Sequence, residues 1–256
     1  MIELLNLTKR FRQVLAVDDL SLTVQPGEIY GFLGPNGAGK TTTIKMIAGT
    51  LRPTSGRVFI AGRDLLRRPE EAKQLVGFIP DRPFLYEKLS GLEFLRFMAG
   101  LYGVNSHDFQ DRADSLLELF ELEEWRDELV ESYSHGMKQR LIMSAALIHR
   151  PKVLVVDEPM VGLDPRGARL AANIFRQLKK NGVSVFVSTH TLSLAAQLCD
   201  RIGIILKGRL LTEGTVEELK EKAGESKELE DAFLKLTGGQ EEQALAAFLE
   251  GGKEPW

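Results

Sequence analysis

The sequence predicts an α/β protein. A mainly parallel sheet is flanked by helices, with an antiparallel β-subdomain at the N-terminus and a helical subdomain inserted in the middle. Three observations carry this expectation. Short apolar runs alternate with segments whose apolar residues recur at three- and four-residue spacing, the pattern of strands joined by crossover helices. A glycine-rich stretch, GPNGAGKT at 34–41, stands between one such run and one such helix. From about 82 to 150 the strand runs stop and helical spacing takes over.

In chain order, IELLNL at 2–7 and LSLTV at 20–24 read as strands, and PGE at 26–28 as a turn into the apolar strand IYGFL at 29–33. A helix is expected near 40–48, a strand in GRVFIAG at 56–62 and another in VGFIP at 76–80, which prolines end. LEFLRFMAGLYG and ADSLLELFEL carry helical spacing inside the inserted block. Alternation resumes with VLVVDEP at 153–159, a helix near 166–180, VSVFVSTH at 183–190 and a helix near 191–199. IGIIL and RLLTEG, joined by Lys207-Gly208, close the core as a hairpin. The domain reading is a core of 1–81 and 151–215, a helical subdomain of 82–150 and a helical tail of 216–256, with ELEDAFLKLTGG and EEQALAAFLE as amphipathic pieces. No internal repeat is visible.

Composition narrows the function classes. With 33 basic and 36 acidic residues the formal charge is -3, and no long basic run breaks the balance, so a dedicated nucleic-acid partner is not expected. No apolar run reaches the ~18 residues that span a bilayer, and MIELLNLTKRF lacks the layout of a signal peptide. The single cysteine, Cys199, excludes an intrachain disulfide and reads as a buried core thiol in a reducing, cytoplasmic compartment.

GPNGAGKT matches the phosphate-binding loop G-x-x-x-x-G-K-[ST] at every fixed position, after a strand and before a helix. The glycines Gly34, Gly37 and Gly39 let backbone N–H groups approach phosphate oxygens, with Pro35, Asn36 and Ala38 completing the loop. Lys40 can reach the outer phosphates, and the hydroxyl of Thr41, beside Thr42, can ligate Mg²⁺. The core expected is therefore that of a phosphate-loop NTPase. VLVVDE then supplies two acids where an apolar strand ends, and open α/β sheets bind ligands at strand C-termini. Asp157 is the expected second metal ligand and Glu158 the general base. His190 ends its own strand in the same manner and is expected to face the terminal phosphate.

A second anion site is suggested by YSHGMKQR at 133–140. LIMSAALIHRP behind it carries Leu141, Ala145 and Ile148 at helical spacing, so Ser134, His135 and Gly136 stand where a helix begins. Helix starts offer unpaired N–H groups and partial positive charge.

Together these residues resemble the ATP-binding subunit of an ATP-binding-cassette (ABC) transporter, over about residues 2–215. GPNGAGKTT resembles its phosphate loop, VLVVDEP its second Walker segment, GLDP at 162–165 the loop that follows, with Asp164 toward a partner subunit, and STH at 188–190 its switch segment. Phe11 falls where the family stacks an aromatic ring on adenine, usually Tyr. YSHGMKQR resembles the signature segment, normally LSGGQ or LSGGMKQR. The resemblance implies ATP and Mg²⁺ as cofactors and hydrolysis to ADP and phosphate. It also implies a second ATP-binding subunit, identical or related, packed head to tail so that Ser134 and Gly136 face the partner's ATP. It further implies a separate membrane-spanning permease subunit and a location on the cytoplasmic face of the membrane. The short helical tail resembles the branch that exports drugs, antibiotics or lipids.

The chain departs from the pattern twice. His135 replaces a glycine; its imidazole can hold the segment off a phosphate, donate to it, or point away. In FIPDRP at 78–83 the family usually has Gln where Asp81 stands. Asp81 can still ligate Mg²⁺, and Arg82 can offset its charge. Phe84, Leu85 and Tyr86 read either as part of a docking cleft for the membrane subunit or as core. A soluble cassette ATPase not coupled to transport is the alternative function. A GTPase is disfavoured, because the guanine-reading N-K-x-D does not occur.

Overall fold

A computed structural model describes residues 1–82, 84–160, 162–224 and 233–235 of the 256. In chain order the elements are β1 (Ile2–Phe11), β2 (Val14–Val24), β3 (Ile29–Leu33), α1 (Lys40–Ile47), β4 (Ser55–Ile60), β5 (Arg63–Asp64), α2 (Pro69–Lys73) and β6 (Val76–Ile79). The helical block follows as α3 (Gly91–Leu101), α4 (Ser106–Leu119) and α5 (His135–Leu147). Then come β7 (Val153–Asp157), α6 (Pro165–Lys180), β8 (Ser184–Thr189), α7 (Leu192–Leu198), β9 (Arg201–Leu206), β10 (Arg209–Gly214) and α8 (Val216–Lys222).

Two sheets form. The first is antiparallel, in the order β2-β1-β4-β5; the second has six strands in the order β10-β9-β3-β8-β7-β6. In the second, every pairing is parallel except β10 with β9. Its central strands β3, β7 and β8 are buried at every position, as a sheet covered on both faces requires. Phe186 of β8 lies between Tyr30 and Phe32 of β3, with ring centroids 5.7 and 5.3 Å away. Full burial of such a ring contributes about 1.5–3 kcal/mol. Because β3, β6, β7 and β8 run parallel in register, their carboxyl ends emerge along one edge.

Polar caps fix where the helices start. Ser90 and Glu93 form a reciprocal capping box at α3, and Asn105, Ser134 and Asp164 each accept a backbone N–H at α4, α5 and α6. The helical block shares one apolar core with the sheet: Phe94, Phe109, Leu117, Phe120 and Leu141 pack in the same cluster as Leu154 and Val156. A second cluster joins α1 to the antiparallel sheet.

The first hairpin is longer than its apolar pattern suggests. β1 runs to Phe11 rather than residue 7, and β2 begins at Val14 rather than residue 20. The intervening TKRFRQVLAVDD has little alternation because register shifts break the pairing at three places. Asn6 and Asp19 take positive φ values of 47° and 52° there, as these residue types tolerate. The two-residue β5 and the five-residue α2 carried no readable periodicity. Cys199 is half-buried as a residue, and it packs against two of the apolar clusters. Its thiol packs so close to Gly31 that a Cβ there would come within 2.8 Å of Sγ, and burial pushes it up to about 12. In the tail, α8 begins at a capping box of Thr215 and Glu218. EEQALAAFLE, and all of ELEDAFLKLTGG but 233–235, lie outside the described residues.

Candidate nucleotide site

A cleft of about 550 Å³ opens at the carboxyl edge of the parallel sheet. It is lined by Asn36, Gly37, Gly39, Lys40, Thr41 and Thr42 from the loop and α1. The ends of β6, β7 and β8 contribute Asp81, Asp157, Glu158 and His190.

Neighbouring backbone leaves no room for a side chain at two of the loop's glycines. A Cβ on Gly34 would lie 2.4 Å from the Ile205 carbonyl oxygen, and one on Gly39, at φ +109°, 2.5 Å from that of Ala16. Helix α1 therefore starts at a left-handed glycine with no side-chain cap, and its first N–H groups stay available to an anion. Lys40 is nearly buried, and its Nζ donates to the carbonyl oxygens of Gly34 at 2.6 Å and Pro35 at 3.1 Å. Burial pulls the Lys40 amine below its ordinary pKa, and the nearby Glu158 and Asp157 oppose that shift.

The acids sit where the strand ends put them. Asp157 is 3% exposed, pairs in register with Ser188 and accepts a hydrogen bond from its hydroxyl. Glu158 turns out of the sheet at φ +50°. Its N–H donates to the Ser188 carbonyl at 3.1 Å; its carboxylate accepts from Thr189 Oγ1 at 3.3 Å and lies 2.8 Å from His190 Nδ1. A carboxylate only accepts, so the hydrogen of that pair belongs to the imidazole. Thus β7 and β8 hold acid, hydroxyls and histidine as one network above Lys40.

Other expected residues stand apart from the cleft lining. Gly34, Pro35 and Ala38 shape the loop from behind: Ala38 is buried, its N–H donates to Pro35 and its carbonyl accepts from Gly208. Phe11 lies at the hairpin tip, 44% exposed, paired with Val14, and the Lys9 amine sits 5.0 Å over its ring. Ser134 and Gly136 stand at the start of α5, where the Ser134 hydroxyl accepts the Met137 N–H at 3.3 Å. The sequence reading missed Val14, Leu15, Ala16, Lys207 and Gly208, which also line the cleft. No local motif marks them. Tertiary hydrogen bonds bring them there: Gly208 donates to Ala38, and Asp18 to Gly208, both at 2.9 Å.

On the helical block, Phe84 is 79% and Tyr86 49% exposed, in edge-to-face contact with each other, and Tyr86 likewise meets Phe97. The core reading therefore holds for buried Leu85 and fails for its two neighbours.

Comparison with known proteins agrees with this geometry. Residues 17–161, more than half the chain, match the family model for the ABC transporter. An uncharacterized ABC transporter ATP-binding protein of Bacillus subtilis, YhcH, is 42% identical over 82% of this chain and 68% of its own length. The bacitracin transport ATP-binding protein BcrA of Bacillus licheniformis is 39% identical over 87% of this chain and 72% of its own. In the Escherichia coli probable multidrug ABC transporter ATP-binding protein YbhF, 36% identical over 92% of this chain, the match spans only 41% of the relative. A solved ATP-binding subunit of an ABC transporter superposes with a TM-score of 0.88 at 32% identity, covering 93% of this chain and 99% of that one. A dimeric ATP-binding cassette in a post-hydrolysis state shares the fold, with a TM-score of 0.77 at 24% identity over 84% of this chain and 98% of that one. The chain belongs to the ABC transporter ATP-binding protein family.

Proposed function

We propose that this chain binds ATP with Mg²⁺, hydrolyses it to ADP and phosphate, and thereby powers export of a substrate through a separate membrane-spanning subunit. The observation that carries the reading is the convergence of Lys40, Asp157, Glu158 and His190 on one cleft around an uncapped helix start.

Thr41, Asp157 and Asp81 are the residues that would hold the metal. All offer oxygen, which suits a hard cation such as Mg²⁺. Mg²⁺ is usually bound through one or two carboxylates together with substrate phosphates, which fits a set of two acids and a hydroxyl. When bound, Mg²⁺ neutralises phosphate charge. Lys40 and the loop N–H groups hold the outer phosphates; this requires Lys40 to trade its carbonyl partners for phosphate oxygens. Glu158 accepts a proton from the attacking water, and its bond to His190 fixes the carboxylate for that role. With Nδ1 engaged by Glu158, the second ring nitrogen of His190 is the one left for the terminal phosphate.

Ser134 and Gly136 complete the site of a second ATP-binding subunit, identical or related. The ADP- and phosphate-bound dimer of the neighbouring cassette supports that arrangement. Export is favoured by the relatives named for bacitracin transport, daunorubicin resistance and linearmycin resistance. No helix among the described residues is long and apolar enough to cross a membrane. The exposed Phe84–Tyr86–Phe97 cluster is where the membrane-spanning subunit would dock on the cytoplasmic face. Phosphate release from ATP and Mg²⁺, with co-purification of a membrane protein, tests the proposal. Hydrolysis without any membrane partner would favour a soluble cassette ATPase.

A further inference from the structure

The helix start at α5 carries His135, whose side chain must go somewhere. It turns back onto its own chain. A Cβ built on Gly162 would lie 2.2 Å from the His135 Nε2 and 2.3 Å from its Cδ2, so the imidazole is in contact with that glycine. Gly162 sits at φ +81°, where a side chain is disfavoured on backbone grounds as well. The next residue of α5 faces the same turn, since a Cβ on Gly136 would be 3.7 Å from the Gly162 carbonyl oxygen.

Gly162 stands four positions after Glu158 and two before Asp164, the N-cap of α6. A second strut grips the far side of this segment. Arg166, in the first turn of α6, pairs with Glu121 just beyond α4, and Glu121 also pairs with Arg140 of α5 at 3.2 Å. The helical block thus holds the stretch from Gly162 to Arg166 at two points, neither of which lies in the nucleotide cleft.

We propose that His135 is a positioning residue. Its ring lies against Gly162, both residues being otherwise exposed, and couples Gly162 to the start of α5. This rests on the function proposed above, in which α5 serves the partner's ATP and Glu158 serves the chain's own. One contact then links the two half-sites of a single chain. Without the ring, Gly162 loses this contact and has no side chain of its own to replace it, so the segment leading back to Glu158 gains freedom. ATP binding in the cleft is spared, because Lys40 and the phosphate loop lie outside the contact.

Hydrogen exchange on the full chain tests the contact without reference to hydrolysis. In His135→Ala the amides from Gly162 to Ala168 exchange faster than in the wild type, and His135→Gln, which keeps the reach, restores most of the protection. The turnover rate falls ~5-fold with ATP affinity unchanged, a size usual for residues coupled by direct contact. Gly162→Ala forces a Cβ into the ring. Combined with His135→Ala that clash is relieved, so the double variant turns over no more slowly than Gly162→Ala alone. Unchanged exchange in His135→Ala, or two losses that simply multiply, overturns the proposal. Faster exchange in a chain that hydrolyses no ATP would leave the contact standing and sink the functional reading instead.

Discussion

The cleft at the phosphate loop and the start of α5 are both helix N-termini, and they are finished differently. At α1 no side chain caps the helix, Lys40 waits beneath the loop, and the ends of β7 and β8 deliver Asp157, Glu158 and His190. At α5 the first turn is capped by its own Ser134, and His135 is spent on Gly162. The first site carries its own cation and acids; the second offers a hydroxyl, a glycine and a helix dipole. An anion-binding helix start becomes a reaction centre only where the sheet edge adds charged groups to it. In the function proposed above, another chain brings the phosphate to the α5 start.

Substitutions at the complete site should have the larger effects. Glu158→Gln keeps the shape of the side chain but cannot take a proton, so hydrolysis should fall ~10²–10⁴-fold, the range of general-base contributions. Calorimetry should find ATP affinity little changed; a variant that still hydrolyses at a comparable rate would remove Glu158 from the base role. Lys40→Ala deletes a nearly buried amine, and affinity should drop ~10–100-fold, as expected for charge-assisted hydrogen bonds. Near-normal binding would contradict the loop assignment. Asp81→Asn, at the rim of the same cleft, should raise the Mg²⁺ concentration needed for half-maximal hydrolysis by about 10-fold, the low end for a metal-site partner. An unshifted Mg²⁺ titration would leave Asp81 as a loop residue only. The effect on folding stability alone is small: at the other helix start, Ser134→Ala should cost about 0.5–2 kcal/mol through the lost cap. Thermal unfolding checks that figure, and no loss would mean the cap bond is not formed.

The same contrast explains what could be read from the sequence. The phosphate loop and the acids after β7 were legible because they are contiguous: a strand, a turn and a helix place GPNGAGKT, and an apolar run places Asp157. His190 was legible by the same strand-end logic. The far wall of the cleft was not, because Leu15 and Lys207 meet the loop only through pairings between distant strands. The start of α5 was legible as a helix start, whereas the direction of the His135 ring depends on a turn more than twenty positions away. The ends of β1 and β2 escaped for a local reason, since bulges at Asn6 and Asp19 erase the alternation that marks a strand. Phe11 was legible only through the family resemblance, since an exposed ring beside Val14 at a hairpin tip carries no local motif.

The central claim is that the start of α5 works on a phosphate held by another chain. Mixing Lys40→Ala subunits with Ser134→Arg subunits tests it most directly. Each variant alone has two broken sites, and if Ser134 stabilises transferring phosphate as an arginine finger does, roughly 10³–10⁵ in rate is at stake. In the mixed dimer one site combines both defects. The other joins an intact Lys40 from one subunit to an intact Ser134 from its partner. Hydrolysis should therefore reappear on mixing, in this chain paired with itself or with the cassette chain that co-purifies with it. A mixture that stays inactive, with heterodimers demonstrated by cross-linking, would contradict the claim and return the whole active site to a single chain.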